Sequence, residues 1–194
     1  MAKVAFVFPG QGSQKVGMCK DLYENYACAK KVFKEADEAL GFSISKLCFE
    51  GPEDDLRLTK NTQPAILTCS VAALMVMCEH GLSCEIAGGH SLGEYSALVA
   101  AGVMDLKDAV VAVHKRGEFM QEAVPVGEGA MAAVMGLEPD KIVEVCQTVE
   151  KECGEAVQAV NFNCPGQVVI AGAAKAVDKA VEALKAAGAK RAVP

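Results

Sequence analysis

Apolar positions change their spacing several times along the chain, and each change marks an element. Residues 3–8 alternate around Val4, Phe6 and Phe8 and stop at Pro9-Gly10, which predicts a strand and a turn. Residues 21–40 carry helical spacing and end at Gly41, a C-terminal cap. Residues 42–57 are polar and turn-rich around Gly51-Pro52. Pro64 predicts the start of a strongly apolar helix through Ile66, Leu67, Val71, Leu74, Met75 and Cys78, closing at His80-Gly81. Residues 84–87 read as a short buried strand. After a Gly-His-Ser-Leu-Gly turn, Tyr95, Leu98 and Val99 carry a helix to Gly102. Asp105 caps the next helix, with Leu106, Ala109, Val113, Arg116 and Met120 along one stripe. Strands alternating with helices predict a mainly parallel sheet.

The stretch EAVPVGEG at 122–129 interrupts these periods and marks a boundary. Beyond it, strands are expected at 129–135, 156–162, 166–171 and 189–193, with helices at 139–149 and 175–187. That order, β-α-β-β-α-β, is the ferredoxin-like arrangement. The expected organisation is therefore α/β, with a larger lobe over 1–126 and a small ferredoxin-like lobe over 127–194.

Composition narrows the function classes. The 194 residues suffice to bury a core, and 52% hydrophobic with 23% charged residues fits an ordinary globular protein. A net charge of −6 argues against a general nucleic-acid binder. No uninterrupted apolar run approaches 18 residues, so no membrane span is expected. The apolar start is too short for a signal peptide. Nine cysteines form no C-x-x-C pair and several sit at apolar positions, so neither a metal nor a disulfide framework is expected. A reducing cytoplasm fits that usage.

Gly89-His90-Ser91-Leu92-Gly93 matches G-x-S-x-G. A sharp strand-to-helix turn strains the serine backbone, and flanking glycines let neighbouring backbone pass close by. The hydroxyl is then exposed at a helix N-terminus. The Leu92 amide becomes an oxyanion donor. With a strand before it and a helix after it, the pattern favours a nucleophile over a structural turn. The loop Pro9-Gly10-Gln11-Gly12-Ser13-Gln14 also follows a strand. It fails as a phosphate loop, because Met18 and Cys19 follow Gly17 where lysine and serine or threonine are needed. It is either a plain turn or the partner of the Ser91 turn beyond the carboxyl ends of neighbouring strands, with Gln11 as second oxyanion donor.

Arg116 falls on the inward stripe of its helix. Its side chain either snorkels to water or meets an anion, and a planar fork suits a carboxylate. No acidic residue is its obvious local partner, so a substrate carboxylate would fill that place. The general base is harder to find. His80 ends a helix, His114 lies on the flank of one, and His90 diverges from Ser91 at the turn.

GQGSQ at 10–14, NTQPA at 61–65, GHSLGEYSALVAAG at 89–102, KRGEFMQEAVP at 115–125, GAMAAVMG at 129–136 and NFNCPGQVVIAG at 161–172 follow in order along the chain. With these motifs the chain resembles the malonyl-CoA:acyl carrier protein transacylases of bacterial fatty acid synthesis. The resemblance implies an α/β-hydrolase-like large lobe, incomplete over these residues, with a ferredoxin-like small lobe. It implies a seryl-ester mechanism, without cofactor or metal: Ser91 takes the malonyl group from malonyl-CoA and the phosphopantetheine thiol of acyl carrier protein collects it. Arg116 matches the arginine that holds the malonyl carboxylate, and Gln11 and Leu92 match the oxyanion-hole positions. Gln63 and Asn161 lie in motifs bordering the pocket. The catalytic histidine of the resembled family is expected after GAKRAVP, downstream of Pro194.

Two other readings compete: a serine hydrolase or thioesterase, and a non-catalytic piece that binds coenzyme A or carrier protein. An inward Arg116 counts against a hydrolase of simple esters, which carry no anion. Among residues 175–194, Lys175, Lys179, Lys185, Lys190 and Arg191 outnumber Asp178 and Glu182. This is either a solvated helix face or, at Lys190 and Arg191, a steering patch for an acidic carrier protein.

Overall fold

The computed structural model describes residues 3–125 and 127–193. The chain divides between Ala123 and Val124 into two compact units; the sequence places that boundary between 126 and 127.

Among the described residues the first unit holds two strands, β1 (Ala5–Phe8) and β2 (Ile86–Gly89), and seven helices: α1 (Lys20–Asn25), α2 (Ala27–Leu40), α3 (Ile44–Glu50), α4 (Glu53–Arg57), α5 (Thr59–Glu79), α6 (Leu92–Ala100) and α7 (Leu106–Ala123). β1 and β2 pair in parallel, from Ala5 opposite Ile86 to Phe8 opposite Gly89. Alternation along β1 buries Phe6 and Phe8 with Leu74, while Val7 faces out. The main core is helical, centred on Phe33, Ile44, Leu56, Leu67, Val110 and Val113. Tyr23, Phe33 and Phe49 pack as an aromatic cluster, with ring centroids 4.9–5.7 Å apart. α5 crosses the middle of this core, buried continuously from Thr62 to Cys69. Among the described residues it is long and apolar enough to cross a membrane, at mean hydropathy 1.3. Two thirds of that stretch, 67%, is buried inside the protein, as in a core helix.

Four local expectations are corrected. The helix expected over 21–40 breaks at Tyr26, whose extended backbone (φ −125°, ψ 124°) ends α1 and begins α2. α1 fully buries no residue, whereas α2 turns Ala29, Val32, Phe33 and Ala36 inward. The break points the Tyr26 ring at His80, edge-on with centroids 5.8 Å apart. Residues 42–57 are not a plain loop but two short helices. Ser43 caps the first, accepting from the Lys46 amide, and Ile44 and Cys48 anchor it. The second strand lies at Ile86–Gly89, two residues later than read, because the parallel register with β1 selects those residues.

Finally, α5 starts at Thr59, five residues ahead of the proline expected to open it. Pro64 lacks the N–H that would bond the Lys60 carbonyl one turn back. That carbonyl accepts instead from His114 Nδ1 on α7, at 2.8 Å. The helix keeps its proline because another helix satisfies the orphaned acceptor.

The second unit contains β3 (Gly129–Met135), α8 (Pro139–Cys153), β4 (Val157–Cys164), β5 (Gln167–Ala173), α9 (Ala174–Ala186) and β6 (Arg191–Val193). Its strand order is β4-β5-β3-β6, with every neighbouring pair antiparallel. Val134, Val168 and Ile170 pack from the sheet against Ile142, Cys146 and Val149 of α8 and Val177, Val181 and Leu184 of α9.

Candidate active site

β2 delivers the chain into a turn whose geometry is set by close backbone approach. Ser91 stands between β2 and α6 at φ 53° and ψ −100°, a left-handed conformation that a non-glycine residue rarely adopts. Gly93 lets this turn press against the end of β1. A Cβ there would stand 2.3 Å from the Phe8 carbonyl oxygen, so only glycine fits. Leu92 is buried and is the first residue of α6, where an amide has no intrahelical acceptor. The Ser91 side chain is exposed, as a nucleophile requires.

Arg116 joins that hydroxyl to a third residue far away in sequence, Gln63. Arg116 on α7 donates from Nη2 to Ser91 Oγ at 3.0 Å and from Nη1 to Gln63 Oε1 at 2.8 Å. Gln63 is 1% exposed and fixed at its other end, where Nε2 donates to Met120 Sδ at 3.3 Å. The guanidinium also lies over the Tyr95 ring, 5.9 Å from its centroid. Among the described residues Arg116 forms no ion pair with any carboxylate. A half-buried fork with no acidic partner, next to a strained serine, can receive an anionic group from a ligand.

The position of α7 is itself fixed by backbone contact. Gly117 lies against the start of α5, where a Cβ would stand 2.6 Å from Lys60 Cα and 2.7 Å from the Thr59 carbonyl oxygen. One helical turn away, His114 donates to Lys60, and its Nε2 lies 3.5 Å from the Glu118 carboxylate. These contacts set the height of Arg116 against Gln63.

Gln11 lies on the loop after β1, the strand beside β2, so its loop and the Ser91 turn leave neighbouring carboxyl ends. The Gly12 amide donates to Gln14 Oε1 at 2.8 Å and Ser13 Oγ donates to the Gly10 carbonyl at 2.9 Å. Gln11 Nε2 donates to Thr59 Oγ1 at 3.3 Å, so its side chain is turned toward α5. His90 packs its ring near Gly10, where a Cβ would lie 2.9 Å from Nδ1. His80 caps α5 against Tyr26.

The remaining expected residues belong to the second unit. Asn161 is half-buried on β4 opposite Val169, between two register shifts. Lys190 is exposed, its stem covering Gly136 and its amide bonded to the Met135 carbonyl at 2.9 Å. Arg191 is exposed at the start of β6, opposite Met135.

Sequence reading names Ser91, Arg116 and Gln63, which the structure brings together, but not the residues that hold them. Tyr95, Met120, Thr59 and His114 carry roles that depend on which backbones meet. Met120 lies four residues after Arg116 on the inward stripe, the one signal that could have linked it to the site.

Comparison with known proteins places this arrangement. The model of the acyl transferase domain matches residues 5–193. The malonyl CoA-acyl carrier protein transacylase of Bacillus subtilis (strain 168) is 56% identical over 194 residues, covering 100% of this chain and 61% of that protein. The protein of the same name from Escherichia coli (strain K12) is 53% identical over 195 residues, covering 100% of this chain and 62% of the relative. A malonyl-transacylase solved in complex with a type II PKS acyl-carrier protein superposes with a TM-score of 0.92 at 50% identity, over 100% of this chain and 62% of that one. The malonyl CoA-acyl carrier protein transacylase of Coxiella burnetii gives 0.92 at 44% identity, over 98% and 60%. The chain thus spans about three fifths of the length of these relatives. With a mixed α/β fold like theirs and a family model matched almost end to end, the chain belongs to the acyl transferase domain family.

Proposed function

We propose that the chain carries the acyl-accepting site of a malonyl-CoA:acyl carrier protein transacylase, with Ser91 as nucleophile. Ser91 Oγ attacks the malonyl thioester carbonyl, coenzyme A leaves as its thiol, and the malonyl group stays as a seryl ester. The phosphopantetheine thiol of acyl carrier protein then attacks that ester and regenerates the hydroxyl. The backbone amides of Gln11 and Leu92 hold the oxyanion of each tetrahedral intermediate. The general base comes from family structure outside these 194 residues, consistent with the greater length of the relatives.

The observation that carries this reading is the Arg116 fork, donating to Ser91 at 3.0 Å and to buried Gln63 at 2.8 Å. A malonyl ester on Ser91 puts its free carboxylate within reach of the same guanidinium. An ester without an anion leaves that cation unused, which disfavours a general hydrolase. On the second unit, Asn161 is read as a substrate-binding residue from its motif, and Lys190 with Arg191 as the patch that steers the acidic carrier protein. The first unit is read as the α/β-hydrolase-like lobe, 1–126. The second, 127–194, is read as a ferredoxin-like lobe, which the β4-β5-β3-β6 order and two sheet-packed helices support. The reaction belongs to the cytoplasm, where malonyl-CoA and free thiols coexist.

The test is Arg116→Ala, with acylation of Ser91 from malonyl-CoA and acetyl-CoA followed side by side. A charge-assisted hydrogen bond is worth about 1.5–3 kcal/mol, so preference is expected to shift toward acetyl by roughly 10- to 100-fold. An unchanged ratio overturns the assignment.

A further inference from the structure

The acyl-transfer chemistry leaves one cluster of nucleophilic side chains unused. Cys19, Cys48 and Cys69 meet where the end of the first loop reaches α5. The Cys19 thiol faces the Cys69 carbonyl at 3.7 Å, and the Cys69 thiol faces the carbonyl of Met18 at 3.9 Å. The Cys19 sulfur therefore lies against the Cys69 backbone and the Cys69 sulfur against the residue before Cys19, which makes the two thiols close neighbours. Cys48 adjoins Cys69, and its carbonyl accepts from the Gly17 amide at 2.8 Å, tying the same loop down.

The two sulfurs differ in surroundings. Cys19 is half-buried and held at φ 56°, a backbone strain that marks a residue fixed by its neighbours. Cys69 is buried. Both line a cavity of about 450 Å³ between β1 and α5, together with Ser13, Met18 and Ser70.

We propose that Cys19 is a site of oxidation by small hydroperoxides, with Cys69 as the resolving thiol that closes a Cys19–Cys69 disulfide. The neighbouring Cys69 side chain holds the Cys19 thiol below its ordinary value, against opposing burial. The same contact, the Cys48 side chain and burial push Cys69 well up. Cys19 is thus the thiol that ionises first, and the thiolate is the reactive form.

The Cys19 thiolate attacks hydrogen peroxide, an S–O bond forms, the O–O bond breaks, and the departing hydroxide takes up the proton that Cys19 released to solvent and leaves as water. Cys19 is oxidised to the sulfenic acid and the peroxide is reduced. Cys69 then attacks the Cys19 sulfur, the S–O bond breaks, and the expelled hydroxide takes the Cys69 proton as a second water. Closing the bond draws the two sulfurs to about 2.05 Å. The product links the loop that carries Gln11 to the helix that carries Gln63.

The test is brief treatment of the full chain with hydrogen peroxide, denaturation in excess iodoacetamide, and peptide mapping by mass. The expected result is a Cys19–Cys69 cross-linked peptide that disappears with dithiothreitol. It forms before exposed Cys78 and Cys164 are modified. Cys69→Ser is expected to stop at a Cys19 sulfenic acid that dimedone captures. A cross-link between other cysteines, or Cys19 oxidised no faster than Cys78 and Cys164, overturns the proposal. Mapping of the unaltered chain decides this even if the variant fails to fold.

Discussion

In the second unit, strand alternation sorts the side chains almost unaided: Val134, Val168 and Ile170 face α8 and α9, while Met131 and Phe162 face away. The first unit follows a different rule. α5 is buried on nearly every side, so its apolar pattern says little about which neighbour it meets. What aligns Ser91, Gln63 and Arg116 there is close backbone approach, Gly93 on Phe8 and Gly117 on Lys60. A core built by alternation tolerates many sequences of the right volume. A site built on backbone contact depends on single glycines and on one orphaned carbonyl.

The comparison can be broken at four points, the largest effect first. Ser91→Ala removes the nucleophile without touching a core contact. Acylation from malonyl-CoA should fall on the order of 10⁶-fold, as for other lost serine nucleophiles, with the melting temperature unchanged. A large fall in melting temperature would make Ser91 a structural residue. Ile170→Ala attacks the other unit, where the side chain is fully buried. It should cost about 2–5 kcal/mol in urea unfolding of that unit, with Ser91 acylation unchanged in the folded protein.

Gly117→Ala should cost about 1–3 kcal/mol, the range for forcing atoms into packed structure. It should also slow malonyl loading, because any relief moves α7 and Arg116 with it. Normal loading in a destabilised Gly117→Ala protein would separate the helix contact from the site. The smallest effect is expected at Lys190 and Arg191, both exposed. Reversing the two charges should raise the KM for carrier protein a few-fold and flatten its salt dependence, leaving loading from malonyl-CoA intact. Loss of both half-reactions together would end the docking idea.

Legibility followed the same division. The β-α-β-β-α-β order was readable from period changes, since each strand or helix of the second unit has one wet and one dry face. Ser91 was readable because its turn needs glycines at fixed offsets, and Arg116 because it interrupts an apolar stripe. The start of α5 was not, because Pro64 looks like a first-turn residue until His114 is known to take the Lys60 carbonyl. Nor were α3 and α4, whose few turns are too short to establish a period. The Tyr26 break carries no glycine or proline, and packing alone decides it.

The measurement that tests the account most directly is intact mass, with peptide mapping, after incubation with malonyl-CoA and, in parallel, acetyl-CoA. The expected result is a malonyl ester on Ser91, formed in preference to the acetyl ester because the Arg116 fork has no acidic partner of its own among the described residues. No adduct, or an adduct on another residue, would contradict it.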